Sequence, residues 1–217
     1  MKPGLIYITM ILDCSGSMKT IQHATISGFN SFIKEQNKLP GEAKVTLVQF
    51  DHRYQVDYLC LELSKVPQLT NTTYVPDGWT AMNDAICRTI DELGSRLAEL
   101  PESERPEKNL VVILTDGEEN ASVSFTSRDI KEKITHQKEK YSWEFVFLGA
   151  NIDAISVAND IGINPNASIT YAANSRGITE VLTSGLVNLV KNYRNDSAVF
   201  GFSQKDRDAQ TKAGVAP

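Results

Sequence analysis

The sequence contains few cysteines and no cysteine or histidine pattern that is typical of metal binding. Its 217 residues include three cysteines, Cys14, Cys60 and Cys87, which lie far apart and form no C-x-x-C pair. An odd and widely spaced set argues against a disulfide framework and against a thiolate zinc site. The three histidines are scattered in the same way, without ligand spacing.

Long apolar runs are also missing. The first run, residues 5–12, is followed at once by Asp13 and is much shorter than the roughly 20 residues that span a bilayer. No small-residue cleavage pattern of a signal peptide follows it. The sequence therefore predicts a cytoplasmic protein that has no membrane span.

The sequence lacks an excess of positive charge. It has 22 Lys and Arg against 27 Asp and Glu, which gives a formal net charge of −5. A mildly acidic protein is a poor general binder of nucleic acid or of anionic membranes, so we expect neither as a partner. A glycine-rich phosphate loop and a Gly-x-Ser-x-Gly nucleophile motif are missing as well, which argues against two common enzyme classes.

What is present is a regular alternation of apolar strands and amphipathic helices. Residues 5–12 and 109–115 are almost continuously apolar, as parallel strands buried on both faces are. Residues 44–50 and 54–61 are joined by only three residues, too few for a crossover helix, so this pair should be antiparallel. We predict a three-layer α/β/α, doubly wound, Rossmann-like fold with a mostly parallel sheet and one antiparallel edge strand.

The length favours one domain, because 217 residues fit a single α/β domain with a short tail. We assign residues 1–200 to this domain. Residues 201–217 are polar and show no helical or strand period, so we expect them to form a flexible or loosely docked C-terminal tail.

Oxygen-bearing side chains gather where predicted strands end. Asp13, Ser15 and Ser17 follow the first strand, Asp116 follows the fourth, and Thr80 opens a helix. In open α/β sheets the ligand crevice lies outside the carboxyl ends of the strands, at the topological switch point. Carboxylates and hydroxyls suit Mg²⁺, Mn²⁺ or Ca²⁺ better than Zn²⁺ or Cu²⁺. Each of these residues alone would also serve as a helix cap, but their convergence favours a metal site.

Three motifs in chain order resemble the metal ion-dependent adhesion site (MIDAS) of von Willebrand factor A domains. They are Asp13-x-Ser15-x-Ser17, Thr80 within Gly-x-Thr-x-x-x-Asp, and Thr115-Asp116-Gly117. The resemblance covers about residues 4–195. It implies the same α/β fold, and it implies a divalent cation, most simply Mg²⁺, held by Asp13, Ser15, Ser17, Thr80 and Asp116.

The resemblance also implies how such a site works. The hydroxyls bind the ion directly or nearly so, the aspartates bind it directly or through water, and an Asp or Glu of a protein partner completes the coordination. The usual Gly-Gly-Thr of the family is Gly78-Trp79-Thr80 here, which puts an aromatic residue at the rim. Trp79 then either contacts the partner or covers the core.

We therefore predict a metal-dependent protein-binding module without enzymatic activity. One alternative is a structural or assembly subunit of a bacterial or phage complex, stabilised by the metal. Another is a metal-dependent phosphohydrolase with Asp13 as nucleophile. The second alternative is disfavoured because Ser15 stands where dehalogenase-type phosphatases use a second aspartate.

Three further acidic residues lie near the motifs in the sequence. We expect Asp84 to support the loop after the first strand, and Glu118 and Glu119 to lie in a solvated loop.

Overall fold

The computed structural model describes residues 1–197 and 200–215 and contains a six-stranded sheet in the order β3-β2-β1-β4-β5-β6. Strand β3 runs antiparallel to β2, and the other neighbouring strands are parallel. This confirms the predicted fold class. The strands are β1 (Lys2–Asp13), β2 (Glu42–Phe50), β3 (Tyr54–Glu62), β4 (Pro106–Thr115), β5 (Glu144–Gly149) and β6 (Ser168–Thr170).

Helices cover both faces of the sheet. They are α1 (Gln22–Gln36), α2 (Met82–Glu99), α3 (Ser127–Tyr141), α4 (Ala154–Asp160), α5 (Ser175–Glu180), α6 (Leu186–Arg194) and α7 (Gln204–Ala213). Helix α1 packs against α5 and α6, whereas α2 packs against α3. Connections between parallel strands are right-handed as a rule, so connections that leave the two central strands in opposite directions place helices on opposite faces of the sheet. Within the described ranges, no helix has both the length and the apolarity needed to cross a membrane.

The two central strands are buried along almost their whole length. Residues 5–13 of β1 and 109–115 of β4 are inaccessible to solvent on both faces of the sheet. The strands pair in parallel register, so their carboxyl ends lie side by side, with Leu12 opposite Leu114. The chain leaves β1 towards β2 and leaves β4 towards β5, on opposite sides. This edge is therefore the topological switch point that the sequence predicted.

Element boundaries differ by a few residues from those that the sequence predicts, and two of the differences have a visible cause. The apolar period of residues 19–36 predicts a single helix, but this segment begins with a 3₁₀ segment, Gly16–Ile21, in which Met18 N donates to Ser15 O at 3.1 Å. Residues 168–172 predict a short last strand, but it ends at Thr170 because the amide of Ala172 bonds instead to the side chain of Gln210.

The C-terminal segment is the main correction. We expected residues 201–217 to be flexible, but α7 is a helix with a capping box between Ser203 and Asp206. The buried side chain of Gln210 accepts from Ala172 N and donates to Gly177 O, both at 3.1 Å. A polar side chain thus fixes the helix to the domain, which a search for apolar periodicity does not detect. Residues 216 and 217 of the predicted tail lie outside the described residues.

The docking of α7 gives a testable prediction. Gln210→Ala leaves a buried amide and a buried carbonyl without partners, so we expect it to lower the free energy of unfolding by about 2 kcal/mol. Urea unfolding followed by circular dichroism measures this change. The control is Gln204→Ala, in the same helix but exposed, which should change stability by less than about 0.5 kcal/mol. Equal effects of the two variants would mean that α7 does not dock as described.

Candidate functional site

The carboxylate of Asp13 lies at the end of β1 and is completely buried. Its Oδ1 accepts a hydrogen bond from Ser15 N at 2.7 Å, and its Oδ2 accepts one from Thr115 Oγ1 at 2.6 Å. Burial raises the pKa of Asp13 to about 6, and the nearby charge of Asp116 acts in the same direction, although the hydrogen bonds oppose the shift. The hydrogen bonds from Ser15 and Thr115 hold the two carboxylate oxygens of Asp13 in fixed positions at the switch point.

Two serines connect Asp13 to the second carboxylate. The hydroxyl oxygens of Ser15 and Ser17 are 3.1 Å apart, and Ser17 Oγ donates to Asp116 Oδ1 at 2.5 Å. Burial also raises the pKa of Asp116, against the effect of the Ser17 hydrogen bond. Asp13, Ser15 and Asp116 are buried and Ser17 is exposed, so this polar cluster opens to solvent on the side of Ser17.

Thr80 approaches the same cluster from the segment before α2. Its amide donates to Asn120 Oδ1 at 2.8 Å, which attaches it to the loop after β4. A Cβ atom added at Gly117 would lie 3.8 Å from Ser17 Oγ and 3.9 Å from Thr80 Oγ1. Both hydroxyls therefore border the small space above Gly117. The structure brings all five sequence-predicted residues to one end of the sheet.

The sequence did not indicate three residues that stabilise the cluster from the protein interior: Thr115, Tyr74 and Tyr171. Thr115 belongs to the Thr-Asp-Gly motif, but its hydrogen bond to Asp13 links two strands that are distant in sequence. The buried Tyr74 donates from its hydroxyl to Asp13 O at 2.7 Å, and the buried Tyr171 donates to Thr115 O at 3.1 Å. Tyr74 lies in residues 69–79, which the sequence predicts to be a loop. No helical or strand pattern there indicates that its side chain is buried.

Asp84 has a different role from the one expected. Its carboxylate accepts hydrogen bonds from the amides of Val123, Ser124 and Phe125 at 3.0, 3.0 and 2.8 Å. These amides belong to the loop after β4, so Asp84 stabilises that loop and not the loop after β1. The side chain is directed there because Asp84 lies in the first turn of α2 and the loop passes beside it.

Glu118 and Glu119 differ from each other. Glu118 is exposed, in agreement with a solvated loop, whereas Glu119 is partly buried. The carboxylate of Glu119 accepts from the amides of Asn83, Ala121 and Ser122 at 2.7, 2.9 and 2.7 Å. The expectation of a solvated Glu119 is therefore corrected, because this side chain joins the start of α2 to the loop after β4.

Trp79 lies at the rim and does not cover the core, since 69% of its surface is exposed. The residue before it, Gly78, accepts a hydrogen bond from Gly16 N at 3.1 Å. Gly78 has a φ of +71°, and a Cβ atom there would lie 2.2 Å from Nδ1 of His52. The positive φ and the close approach of His52, in the loop between β2 and β3, both favour glycine at this position.

The cluster contains two buried carboxylates without a cationic side chain nearby. Among residues 1–197 and 200–215, no Lys, Arg or His forms an ion pair with Asp13 or Asp116. The same part of the chain has no group of three or more His, Cys, Asp or Glu side chains arranged for a metal ion. A metal site here must therefore combine two carboxylates with hydroxyl ligands. Burial raises the pKa of the neighbouring Cys14 thiol to about 12, so this thiol is protonated at neutral pH.

A doubly wound sheet with an oxygen-rich cluster at its switch point defines a Rossmann-like α/β domain. A sequence profile of the von Willebrand factor type A domain matches residues 8–184. The chain belongs to the von Willebrand factor type A domain family. No curated protein sequence matches it.

Several solved structures share this fold. Proximal thread matrix protein 1 (PTMP1) from the mussel byssus, with a zinc-occupied MIDAS motif, is 17% identical with a TM-score of 0.59, and the match covers 87% of this chain and 46% of that one. The manganese-loaded TRAP protein of Plasmodium vivax is 15% identical with a TM-score of 0.53, over 80% of this chain and 70% of that one. The vWF domain of the type V pili tip protein Mfa5 from Porphyromonas gingivalis is 10% identical with a TM-score of 0.60, over 92% and 98%. The chain thus spans less than half of the mussel protein.

The burial of Asp13 predicts how the stability of the metal-free protein changes when the charge of this side chain is removed. The folded state raises the pKa of Asp13 from 3.8 to about 6, so it binds the proton more tightly than the unfolded state. Stability from this group therefore falls as the pH rises through that window, and the ionised carboxylate costs about 3 kcal/mol at pH 7. Asn removes the charge and still accepts from Ser15 N. We expect Asp13→Asn to raise the free energy of unfolding at pH 7 in the presence of a chelator.

Urea unfolding in EDTA, at pH 7 and at pH 4.5, measures this effect. The gain of Asp13→Asn should shrink at the lower pH, where wild-type Asp13 is largely protonated. The exposed Asp160→Asn is the matched control and should change stability by less than about 0.5 kcal/mol. A destabilised Asp13→Asn protein at pH 7 would contradict the electrostatic cost assigned to the buried carboxylate.

Proposed function

We propose that this chain is a metal-dependent protein-binding module. The observation that carries the proposal is the pair of buried, unneutralised carboxylates, Asp13 and Asp116, joined through two serine hydroxyls at the switch point. Buried charges without a partner are costly, and proteins that retain them usually pair them or use them to coordinate metals. A divalent cation would neutralise both carboxylates at once.

The donor set fits a hard divalent cation. Ligands that are neighbours around an octahedral Mg²⁺, at 2.0–2.1 Å from the ion, lie about 3 Å apart. The hydroxyl oxygens of Ser15 and Ser17 are separated by 3.1 Å, so they already have the spacing of two such ligands. We propose Asp13, Ser15, Ser17, Thr80 and Asp116 as the residues that hold the ion, directly or through water, and thus a complete MIDAS.

Two proteins of the same fold support metal binding. The mussel byssus protein is described with a zinc-occupied MIDAS motif, and the Plasmodium vivax TRAP protein is described as manganese-loaded. For this chain we propose Mg²⁺ first, with Mn²⁺ or Ca²⁺ as substitutes, because all five side chains offer oxygen and none offers nitrogen or sulfur.

The charge balance of the cluster favours an acidic partner group. Two carboxylates offset the charge of a divalent ion, and the three hydroxyls add none. Because the cluster opens to solvent beside Ser17, a carboxylate from another protein would meet an ion that still attracts it. We therefore propose that an Asp or Glu of a protein partner completes the coordination, and that nucleic acid and membranes are not partners.

We propose no catalytic activity for this site. His52 packs against Gly78, and its Nδ1 lies 3.5 Å from Asp51 Oδ1; no hydrogen bond joins a histidine to Ser15 or Ser17 within the described residues. The three cysteines are unpaired, which supports a reducing, cytoplasmic location.

An assembly subunit with a purely stabilising metal is the alternative function, and it predicts partner binding that persists after the metal is removed.

The metal site is tested by thermal unfolding. Saturating Mg²⁺ or Mn²⁺ at about 100 times its Kd should stabilise the wild type by about 2.7 kcal/mol, because the ion binds only the folded state. Ser17→Ala and Thr80→Ala should each lose most of this stabilisation, since each removes a hydroxyl ligand. The exposed Ser27→Ala is the matched control and should respond like the wild type. Equal metal responses in all four proteins would exclude the proposed site.

The partner chemistry is tested separately with a randomised heptapeptide library displayed on phage. Selection in Mn²⁺ should enrich peptides that contain Asp or Glu, and elution with EDTA should release them. Replacing the enriched acidic residue with its amide should weaken binding at least about tenfold, since a buried charged contact is lost. Peptides retained equally in EDTA would favour the assembly alternative.

A further inference from the structure

The hydroxyl of Thr80 differs from the other polar groups of the cluster in what holds it. Hydrogen bonds of their own side chains connect the other four residues, which are Asp13, Ser15, Ser17 and Asp116. Thr80 Oγ1 forms no hydrogen bond with any of the described residues, although it borders the same small space above Gly117. The position of this hydroxyl therefore depends on the contacts that hold the main chain of Thr80.

Residues 119–121, in the loop after β4, supply most of these contacts. Asn120 Oδ1 accepts from Thr80 N at 2.8 Å. Thr80 O accepts from Asn120 N at 3.0 Å and from Ala121 N at 3.2 Å. Both main-chain polar groups of Thr80 are thus bonded to the loop that also carries Asp116.

The carboxylate of Glu119 connects the 119–121 segment to the start of α2. The residue before this helix, Ala81, has no polar side chain to cap it, and Glu119 Oε2 accepts from Asn83 N at 2.7 Å instead. Glu119 Oε1 accepts at 2.9 Å from Ala121 N, the same amide that donates to Thr80 O. A carboxylate at a helix N-terminus satisfies an otherwise unpaired amide and interacts favourably with the helix dipole. Glu119 therefore fixes the helix that follows Thr80 to the loop after β4.

We propose that Glu119 and Asn120 are positioning residues of the metal site, which hold the Thr80 hydroxyl in place beside the carboxylate of Asp116. This inference rests on the proposed metal-dependent function. Both side chains act through Thr80, because their oxygens accept from backbone amides. A ligand that is already ordered loses less conformational entropy when the ion binds. Partners that orient a metal ligand typically contribute about 10–100-fold to the affinity for the metal.

Asp84 offers a matched comparison for Glu119. Both are partly buried carboxylates that bond amides between the first turn of α2 and the loop after β4. The amides that donate to Asp84 belong to residues 123–125, beyond the segment that bonds Thr80. Asp84→Ala therefore removes the same charge from the same end of the sheet and leaves the hydrogen bonds of Thr80 intact.

The test is a double-mutant cycle in which calorimetric titration measures the Kd for Mn²⁺. Glu119→Ala should weaken binding at least about tenfold, and Asp84→Ala clearly less. In a Thr80→Ala background, Glu119→Ala should weaken binding no more than Asp84→Ala does, because the hydroxyl that Glu119 positions is already gone. In a Ser17→Ala background, Glu119→Ala should keep its full effect.

Hydrogen exchange of the Thr80 amide, followed by NMR in EDTA, gives a readout that does not involve the metal. Asn120→Ala removes the acceptor and should make this amide lose protection, whereas Asn120→Asp keeps an acceptor oxygen and should preserve it. The Kd for Mn²⁺ should rise in Asn120→Ala and not in Asn120→Asp. Asn120 is exposed, so these two variants should fold even if Glu119→Ala does not.

The possible results separate this inference from the proposed function. Equal effects of Glu119→Ala in the Thr80→Ala and Ser17→Ala backgrounds would overturn the positioning role, in favour of general loosening of the loop. Unchanged protection of the Thr80 amide in Asn120→Ala would overturn it too, as would unchanged Mn²⁺ binding in Thr80→Ala. In each of these cases a wild type that binds Mn²⁺ leaves the metal-dependent module intact. A wild type that binds no Mn²⁺ would refute the proposed function and the positioning role together.

Discussion

The carboxylate of Asp13 is the feature on which the rest of the site depends. It lies at the end of a central strand, completely buried, and receives hydrogen bonds from Ser15 N and Thr115 Oγ1 but no ion pair within the described part of the chain. Its raised pKa expresses a free-energy cost that the folded protein bears when the site holds no cation. Such a cost is a large fraction of the net stability of a protein, which is typically about 5–15 kcal/mol.

Several side chains order the loops around this carboxylate. Glu119 accepts from the amides of Ala121 and Ser122 in the loop after β4 and from that of Asn83 in α2, and Asp84 accepts from the amides of Val123 and Phe125. Tyr74 donates from its hydroxyl to the carbonyl of Asp13. Acidic side chains are thus used in two ways at the same end of the sheet. Glu119 and Asp84 accept from backbone amides and order the loops, whereas Asp13 and Asp116 accept from the hydroxyls of Thr115 and Ser17. This division explains why a dense acidic motif does not by itself show how many ligands the site has.

Trp79 lies at the rim of the cluster, where the motif that the sequence resembles has a glycine. Its indole is exposed to solvent, and Gly78 before it has the positive φ of a tight bend. Thr80, the next residue, is buried and joined to the loop after β4. Neighbouring positions in this segment therefore have separate physical constraints: Gly78 and Thr80 are limited by close packing and hydrogen bonding, whereas the side chain of Trp79 is limited by neither.

The sequence by itself determined the alternation of strands and helices before α7, the antiparallel edge hairpin and the end of the sheet that carries the cluster. Continuous apolar runs and helical periods are local signals, and the three short motifs are read directly from the chain. The tertiary structure decided the contacts that no local pattern records. Thr115 meets Asp13 across 102 positions, Tyr74 meets it across 61, and Gln210 fixes α7 to Ala172 across 38. Each of these is a polar contact between residues that only packing brings together, so neither periodicity nor propensity predicts it.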